Sequence, residues 1–367
     1  MKFSDVLDIR NGRNQRQVEN ENGKYPIYGS GGIMGRADDF ICDAETVVLG
    51  RKGSINNPIF VDEPFWNVDT AFGLVAHKDV LLPKYLYYFC VNFDFERLNT
   101  TVTIPSLTKA NLLQVEISVP DMDKQRYIVG ILDKVCHLIE LRQQELHELN
   151  QLVKSRFIEL FGDPATNPKG WTTKPLLNMG YCKNGMNFHT GDNGIEMHCL
   201  GVGDFKDLSI IDGTESLPVV SLNEAPPEES MLRDGDIVFV RSNGNKALVG
   251  RCLVVYPHST PTTYSGFCIR YRLTSSEVNT TYLLRVLKTD SMRRKMAGRG
   301  ANIQNLNQQI LAALNIPVPP IEQQQQFAAF VEQTDKSKYY SKLSLALCRV
   351  TATLIGQEWM KCQTSNS

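Results

Sequence analysis

The chain has 367 residues, with 39 Lys plus Arg against 40 Asp plus Glu for a formal net charge of −1, and 42% hydrophobic, 22% charged and 9% aromatic residues. That length predicts two or three domains, the composition excludes wholesale disorder and fibrous repeats, and the balanced charge supplies no global basic field to draw in nucleic acid. No run of 18 apolar residues occurs, and Asp5 and Asp8 stand where a secretory signal would place its apolar stretch, so no membrane partner and a cytoplasmic location are expected.

In chain order, the first stretch with a chemical character is Arg10 to Gln17, where Arg10, Arg13 and Arg16 alternate with Asn11, Asn14, Gln15 and Gln17. Arg suits guanine edges and phosphates, and Asn and Gln suit adenine edges. Gly29-Ser-Gly31-Gly32 reads as a tight turn, because with Gly35 it misses the G-x-G-x-x-G dinucleotide spacing. Thr46 to Gly50 is a β-branched run that predicts a buried strand, and it feeds the basic turn Arg51-Lys52-Gly53. Asn57-Pro58-Ile59-Phe60 nearly matches the tetrapeptide that holds a flipped base in amino-methyltransferases. Lacking the second proline and a preceding glycine-rich cofactor turn, it reads as a loop entering a strand. Pro83 to Phe89 predicts a helix, and beyond it come the loop Ile104-Pro-Ser-Leu107 and Lys109.

Asp123 to Leu160 contains no Pro and one Gly, Gly130, and predicts one long helix. Ile128, Leu132, Val135, Ile139, Leu146, Leu149 and Val153 follow the four-three spacing of a packing seam, which Arg142 interrupts. Phe161-Gly-Asp-Pro164 stops it. Downstream, Asp236 to Val240 repeats the buried-strand pattern and opens into Arg241, Asn243, Asn245 and Lys246. A helix is predicted from Thr281 to Leu287, and then a basic cluster of Arg285, Lys288, Arg293, Arg294, Lys295 and Arg299 is opposed locally only by Asp290. The glycine-bearing loop after it carries Asn302, Gln304 and Asn305. A second long helix is predicted from Glu322 to Leu354, with Phe327, Phe330, Val331, Leu343, Leu347 and Leu354 as its apolar positions and a weaker heptad, followed by a polar tail.

These events repeat. The stretch from Ile104 aligns with that from Ile303 at a constant offset of 199 residues, matching Leu107 to Leu306, Val119-Pro120 to Val318-Pro319 and Gln125 to Gln324. A period of that size means two similar globular domains, each followed by a similar helix. The two helices either pair antiparallel as a spacer rod or pack each on its own domain. A solvated face is the ordinary reading of each basic cluster alone; recurrence at matching positions of two repeats favours DNA.

Catalytic motifs are missing: no phosphate-binding G-x-x-x-x-G-K-[ST], no G-x-S-x-G elbow and no H-E-x-x-H. His189, His198, Cys182 and Cys199 lack zinc-ligand spacing, so no metal is expected. Nine cysteines without a C-x-x-C pair predict free, mostly buried thiols.

The order domain, helix, domain, helix, together with Val119-Pro120 to Gln125, its repeat Val318-Pro319-Pro320-Ile-Glu322-Gln323, Leu160-Phe-Gly-Asp-Pro164 and Tyr25-Pro-Ile-Tyr28-Gly-Ser-Gly-Gly32, resembles the specificity subunit of type I restriction-modification systems over about residues 1 to 355. The resemblance implies an α+β chain. It has a first target-recognition domain over residues 1–120, a spacer helix over 121–163, a second such domain over 164–320, a second spacer helix over 321–355 and a tail over 356–367. It further implies a non-catalytic subunit that reads a bipartite double-stranded DNA target. Its partners would be two copies of an adenine methyltransferase subunit, carrying S-adenosylmethionine, and an ATP-dependent, Mg-requiring restriction and translocase subunit. No cofactor is expected in this chain. Arg13, Arg16, Arg51, Lys52, Lys109, Arg241, Asn243, Asn245, Lys246, Arg299, Asn302 and Gln304 are the candidate DNA-binding residues. The loop from Asn99 to Ile104 lacks the glycines of its counterpart at Gly298 and Gly300. The rival reading is a protein-interaction scaffold with duplicated binding domains; a self-contained methyltransferase or nuclease is disfavoured by the missing motifs.

Overall fold

A computed structural model of the chain describes residues 1–99, 105–187, 194–206, 208–297 and 305–361, with the side chains of residues 246, 297 and 356–361 outside the description. It is a mixed helix and sheet protein that divides into two compact units, residues 1–146 with 340–367 and residues 147–339. Among the described residues no helix is long and apolar enough to cross a membrane.

The first unit contains α1 (Phe3–Val6), β1 (Leu7–Asn11), β2 (Tyr25–Gly29), β3 (Gly32–Ala37), β4 (Thr46–Gly50), β5 (Ile59–Val61), β6 (Trp66–Asn67), β7 (Ala71–Ala76), α2 (Pro83–Asn92), α3 (Lys109–Leu113) and the first part of α4 (Met122–Phe161). Its main sheet has the order β1-β7-β4-β5, all antiparallel, and a smaller sheet has the order β3-β2-β6. Every residue of β4 is buried, because Val47 and Leu49 face the core that holds α2 while Val48 faces a second cluster with Cys42 and Phe65. Burial on both faces is what a continuous β-branched run encodes. Ile59 opens β5, so Asn57 and Pro58 lie in the loop entering a strand.

The second unit holds the end of α4, then β8 (Thr173–Pro175), β9 (Gly180–Asn184), β10 (Ile195–Leu200), β11 (Ile210–Asp212), β12 (Val219–Leu222), β13 (Asp236–Val240), β14 (Cys252–Tyr256), β15 (Thr262–Tyr264), β16 (Cys268–Leu273), α5 (Thr280–Lys288), α6 (Asp290–Ala297), α7 (Gln308–Ala312), β17 (Asn315–Pro317) and most of α8 (Ile321–Lys361). Its main sheet has the order β11-β14-β13-β16-β9, in which β9-β16-β13-β14 repeats the β1-β7-β4-β5 order of the first unit. The duplication seen in the sequence is therefore also one of sheet topology. β13 is buried throughout, with Ile237 and Phe239 in the core under the helices and Val238 and Val240 in the core beneath the sheet β12-β10-β15.

Helix α4 ends where the glycine requires it: Gly162 sits at φ +77 and its N–H donates to the Ile158 carbonyl at 2.8 Å, a left-handed C-terminal cap. Near that end Phe157, Phe161, Phe327 and Tyr282 form one aromatic cluster, with ring centroids 4.8 to 5.8 Å apart. The last turns of α4 thus meet the first turns of α8, as an antiparallel pair requires. Along the α4 seam Leu132 and Val153 are buried, and Ile128, Val135, Ile139, Leu146 and Leu149 are half-buried.

Helix α8 corrects the sequence reading. Its inward positions are Gln324, Phe327, Val331, Thr334, Lys338 and Ser341, whereas Leu343, Leu347 and Leu354 are exposed by 48, 60 and 53%. The heptad looks weak in the sequence because its buried stripe is polar. Thr334 Oγ1 donates to the Phe330 carbonyl at 2.8 Å, and Lys338 Nζ lies 2.9 Å from Asp335 Oδ1. In the first unit Ser341 hydrogen-bonds Glu145, whose carboxyl is held below its usual range first by Arg142, 2.7 Å away, and then by that hydroxyl. Arg142, which breaks the apolar seam of α4, therefore has a paired role. The helix also continues to Lys361, into the stretch read as polar tail.

Candidate nucleic-acid interface

In each unit the buried central strand delivers a basic turn, and the two turns share one hydrogen-bond frame. After β4, the Arg51 and Lys52 N–H groups donate to the Thr70 carbonyl at 2.8 and 3.3 Å, and the Arg51 carbonyl accepts from Leu107 N–H at 2.9 Å. After β13, Arg241 and Ser242 donate to the Phe267 carbonyl at 2.8 and 3.3 Å, and the Arg241 carbonyl accepts from Leu306 N–H at 2.8 Å. Bridges from Lys52 to Ser106 and from Ser242 to Asn305 complete the match. The duplicated Leu107 and Leu306 are both buried and anchor the segment that clamps each turn.

The guanidinium groups correspond as well. Arg51 Nη1 reaches the Asp69 carbonyl at 3.5 Å and Arg241 Nη1 the Gly266 carbonyl at 3.3 Å, so one edge of each fork is oriented by its neighbouring turn. The Arg51 guanidinium also stands 5.7 Å from the centre of the Phe72 ring. A guanidinium has five donors in a fixed plane, and one weak tether leaves the others for a phosphate or a guanine edge.

Among the other candidates, Arg13 and Arg16 are exposed on the loop after β1. That loop is fixed through its backbone: Arg13 N–H donates to the Asn67 carbonyl at 2.9 Å and Trp66 Nε1 donates to the Arg13 carbonyl at 3.0 Å. Gly12 is required there, since a Cβ would lie 1.8 Å from the Val68 carbonyl oxygen. Lys109 Nζ donates to the Ile9 carbonyl at 2.7 Å and so ties α3 to β1, which commits part of its donor capacity inside the fold. Asn243 and Asn245 build their own loop, their side-chain oxygens accepting from the N–H groups of Asn245 and Ala247 at 2.8 and 3.0 Å. Their amide groups remain as donors. The Lys246 side chain, Arg299, Asn302 and Gln304 lie outside the described residues.

Sequence reasoning missed Phe267, which is 60% exposed on the turn that receives Arg241 and Ser242. The available signal was a bulky aromatic directly after Gly266 in a turn between two strands.

Among the described residues no group of three or more His, Cys, Asp or Glu could hold a metal ion. Burial pushes the thiols of Cys42, Cys182, Cys199 and Cys268 up to about 12.

The sequence matches the family described as the type I restriction modification DNA specificity domain over residues 1–151 and 231–342. It is 24% identical over 309 residues to the StySPI specificity subunit of a type I restriction enzyme from Salmonella potsdam, covering 77% of this chain. The chain spans 65% of that relative's length. Among solved structures it is similar to the S subunit of a type I restriction-modification system from M. genitalium, with a TM-score of 0.64, 16% identity and coverage of 98% of this chain and 95% of the other. A second, from work on assembly and conformational transition of the type I R-M system, gives a TM-score of 0.59 at 16% identity over 98% and 96% of the two chains.

Proposed function

The chain belongs to the type I restriction-modification DNA specificity domain family, and from that premise we propose that it is a non-catalytic specificity subunit that reads a bipartite double-stranded DNA sequence. Residues 1–120 and 164–320 read one half each, and the helical segments 121–163 and 321–355 set the gap between them. The observation that carries this reading is the shared frame of the two basic turns, with Arg51 and Arg241 held by equivalent carbonyls. Two independent readers that present the same side chain from the same backbone scaffold suit a target made of two separated halves. Arg13, Arg16, Lys52, Asn243, Asn245 and the candidates at Lys246, Arg299, Asn302 and Gln304 would add phosphate and base-edge contacts around them. Lys109 supports the frame.

Chemistry belongs to partners in this reading: two copies of an adenine methyltransferase subunit with S-adenosylmethionine, and an ATP- and Mg-dependent restriction and translocase subunit, all in the cytoplasm. A net charge of −1 is compatible with DNA recognition if base contacts give specificity while partners supply much of the phosphate neutralisation. The exposed apolar positions Leu343, Leu347, Val350 and Leu354 repeat at four-three spacing along α8 and offer a helix-docking stripe for such a partner.

The test is to co-express the chain with the methyltransferase subunit and map modified adenines by long-read sequencing. A split motif that vanishes without this chain supports the reading. Arg51→Ala should relax one half of the motif and Arg241→Ala the other. A purified complex of both subunits that modifies no DNA would favour an interaction scaffold.

A further inference from the structure

Beside the loop that follows β13, the second unit has a half-open cavity of about 240 Å³ whose wall carries Lys206, Arg251, Lys288 and Arg293 beside Phe205 and Leu208. No carboxylate lines it among the described residues. Four like charges gathered on one wall repel one another, and an anion bound among them offsets that repulsion. From this cavity and its four cations, we propose that the second unit holds a recessed binding site for a phosphate group.

Three of the cations are held in place by bonds to the surrounding backbone. Lys288 Nζ donates to the Leu208 carbonyl at 3.1 Å and to Ser209 Oγ at 2.8 Å, which leaves its third N–H. Arg251 Nη1 donates to the Lys206 carbonyl at 2.8 Å, and Arg293 Nη2 to the Ala247 carbonyl at 3.0 Å. The donors are therefore positioned before a ligand arrives, so little side-chain ordering remains to be done on binding. Burial, and then the charges of Arg285, Arg251 and Arg293, push the Lys288 amine below its ordinary range, a strain that a bound anion relieves. Cys252, also in the wall, is held neutral by burial, its thiol pushed up to about 11, and so does not repel an anion.

The bond from Arg293 to Ala247 ties the cavity to the Arg241–Leu248 loop. A phosphate of the DNA backbone passing that loop, or the phosphate of a free nucleotide, would meet the same donors. The site deepens the DNA-reading proposal without depending on it, because inorganic phosphate tests the cavity alone.

Inorganic phosphate is titrated into the purified full chain in chloride buffer at constant ionic strength, followed by calorimetry and phosphorus NMR. Saturable binding is expected, weakened about tenfold or more by Lys288→Gln and by Arg293→Gln, and unchanged by Arg294→Gln at the exposed neighbour. Thermal unfolding of each variant establishes that it is folded, and a folded variant that binds phosphate like the parent overturns the site. So does a non-saturable response of the parent. A duplex carrying the half-site read by the second unit then separates the sources. Weaker duplex binding and a shallower salt dependence in both variants assign the site to DNA backbone phosphate, and unchanged duplex binding assigns it to a free phosphate ester.

Discussion

Gln125 and Gln324 make the same three hydrogen bonds in different units. Gln125 Oε1 accepts from Leu82 N–H at 2.9 Å while its Nε2 donates to the Val80 and Pro120 carbonyls, both at 2.8 Å. Gln324 Oε1 accepts from Asn279 N–H at 2.9 Å while its Nε2 donates to the Glu277 and Pro319 carbonyls at 3.0 and 2.7 Å. Leu82 and Asn279 are the residues that cap α2 and α5, so each glutamine pins the start of a long helix to the start of the short helix in its own unit. Both side chains are fully buried, which explains why an amide occupies an otherwise apolar position: it satisfies three backbone groups at once.

Replacing either glutamine by leucine strands those backbone groups without water, so Gln125→Leu and Gln324→Leu should each destabilise by about 3 kcal/mol. Urea unfolding measures this. A loss below about 1 kcal/mol would mean that water takes over the bonds.

Asp236 is almost fully buried and accepts a bidentate pair from Arg272, with Nε and Nη2 at 2.8 and 2.7 Å, as well as the Arg233 N–H at 2.7 Å. Removing it leaves the Arg272 guanidinium, whose side chain is 12% exposed, without its ion pair beside the buried Arg270, so Asp236→Ala should cost about 3 to 5 kcal/mol. Asp236→Asn should cost less, since it keeps part of the hydrogen bonding. Equal losses in the two variants would show that charge is irrelevant there.

His258 is exposed, but its Nε2 lies 2.7 Å from Asp212 Oδ1 and its Nδ1 3.5 Å from Asp234 Oδ2, with Glu215 also nearby. The hydrogen bond to Asp212, and then these carboxylates, raise its pKa above the ordinary 6.5. A raised folded value means that the stabilisation is fully present below about 6.5 and disappears as pH rises through the folded value. His258→Asn, which tolerates the left-handed φ of +54 at this position, should therefore lower Tm relative to the parent in mild acid and match it in mild base. A constant difference across that range would refute the linkage.

The stripe on α8 makes a separable prediction. Leu347→Asp and Val350→Asp replace side chains that are 60 and 55% exposed, so thermal stability of the isolated chain should change little. Binding of the methyltransferase subunit, read by calorimetry, should weaken by about tenfold or more if those side chains enter an apolar interface. Unchanged affinity would remove α8 from the docking surface.

Much of this protein was legible in the sequence, because local patterns are enough for it. The β-branched runs from Thr46 and Asp236 read as buried strands, and the proline-free stretch up to Phe161 reads as one long helix stopped by Gly162, as the structure has them. The offset of 199 residues already paired Leu107 with Leu306 and Gln125 with Gln324. Tertiary structure decided which of two stripes on α8 is inside. Helical periodicity offers both: the stripe carrying Thr334, Lys338 and Ser341 is buried with each of those side chains hydrogen-bonded or ion-paired, and the leucines are exposed. It tied Lys109 to a carbonyl a hundred residues away, at Ile9. It also gathered Lys206, Arg251, Lys288 and Arg293 around one cavity. Such groupings depend on distances across the chain that no local pattern encodes.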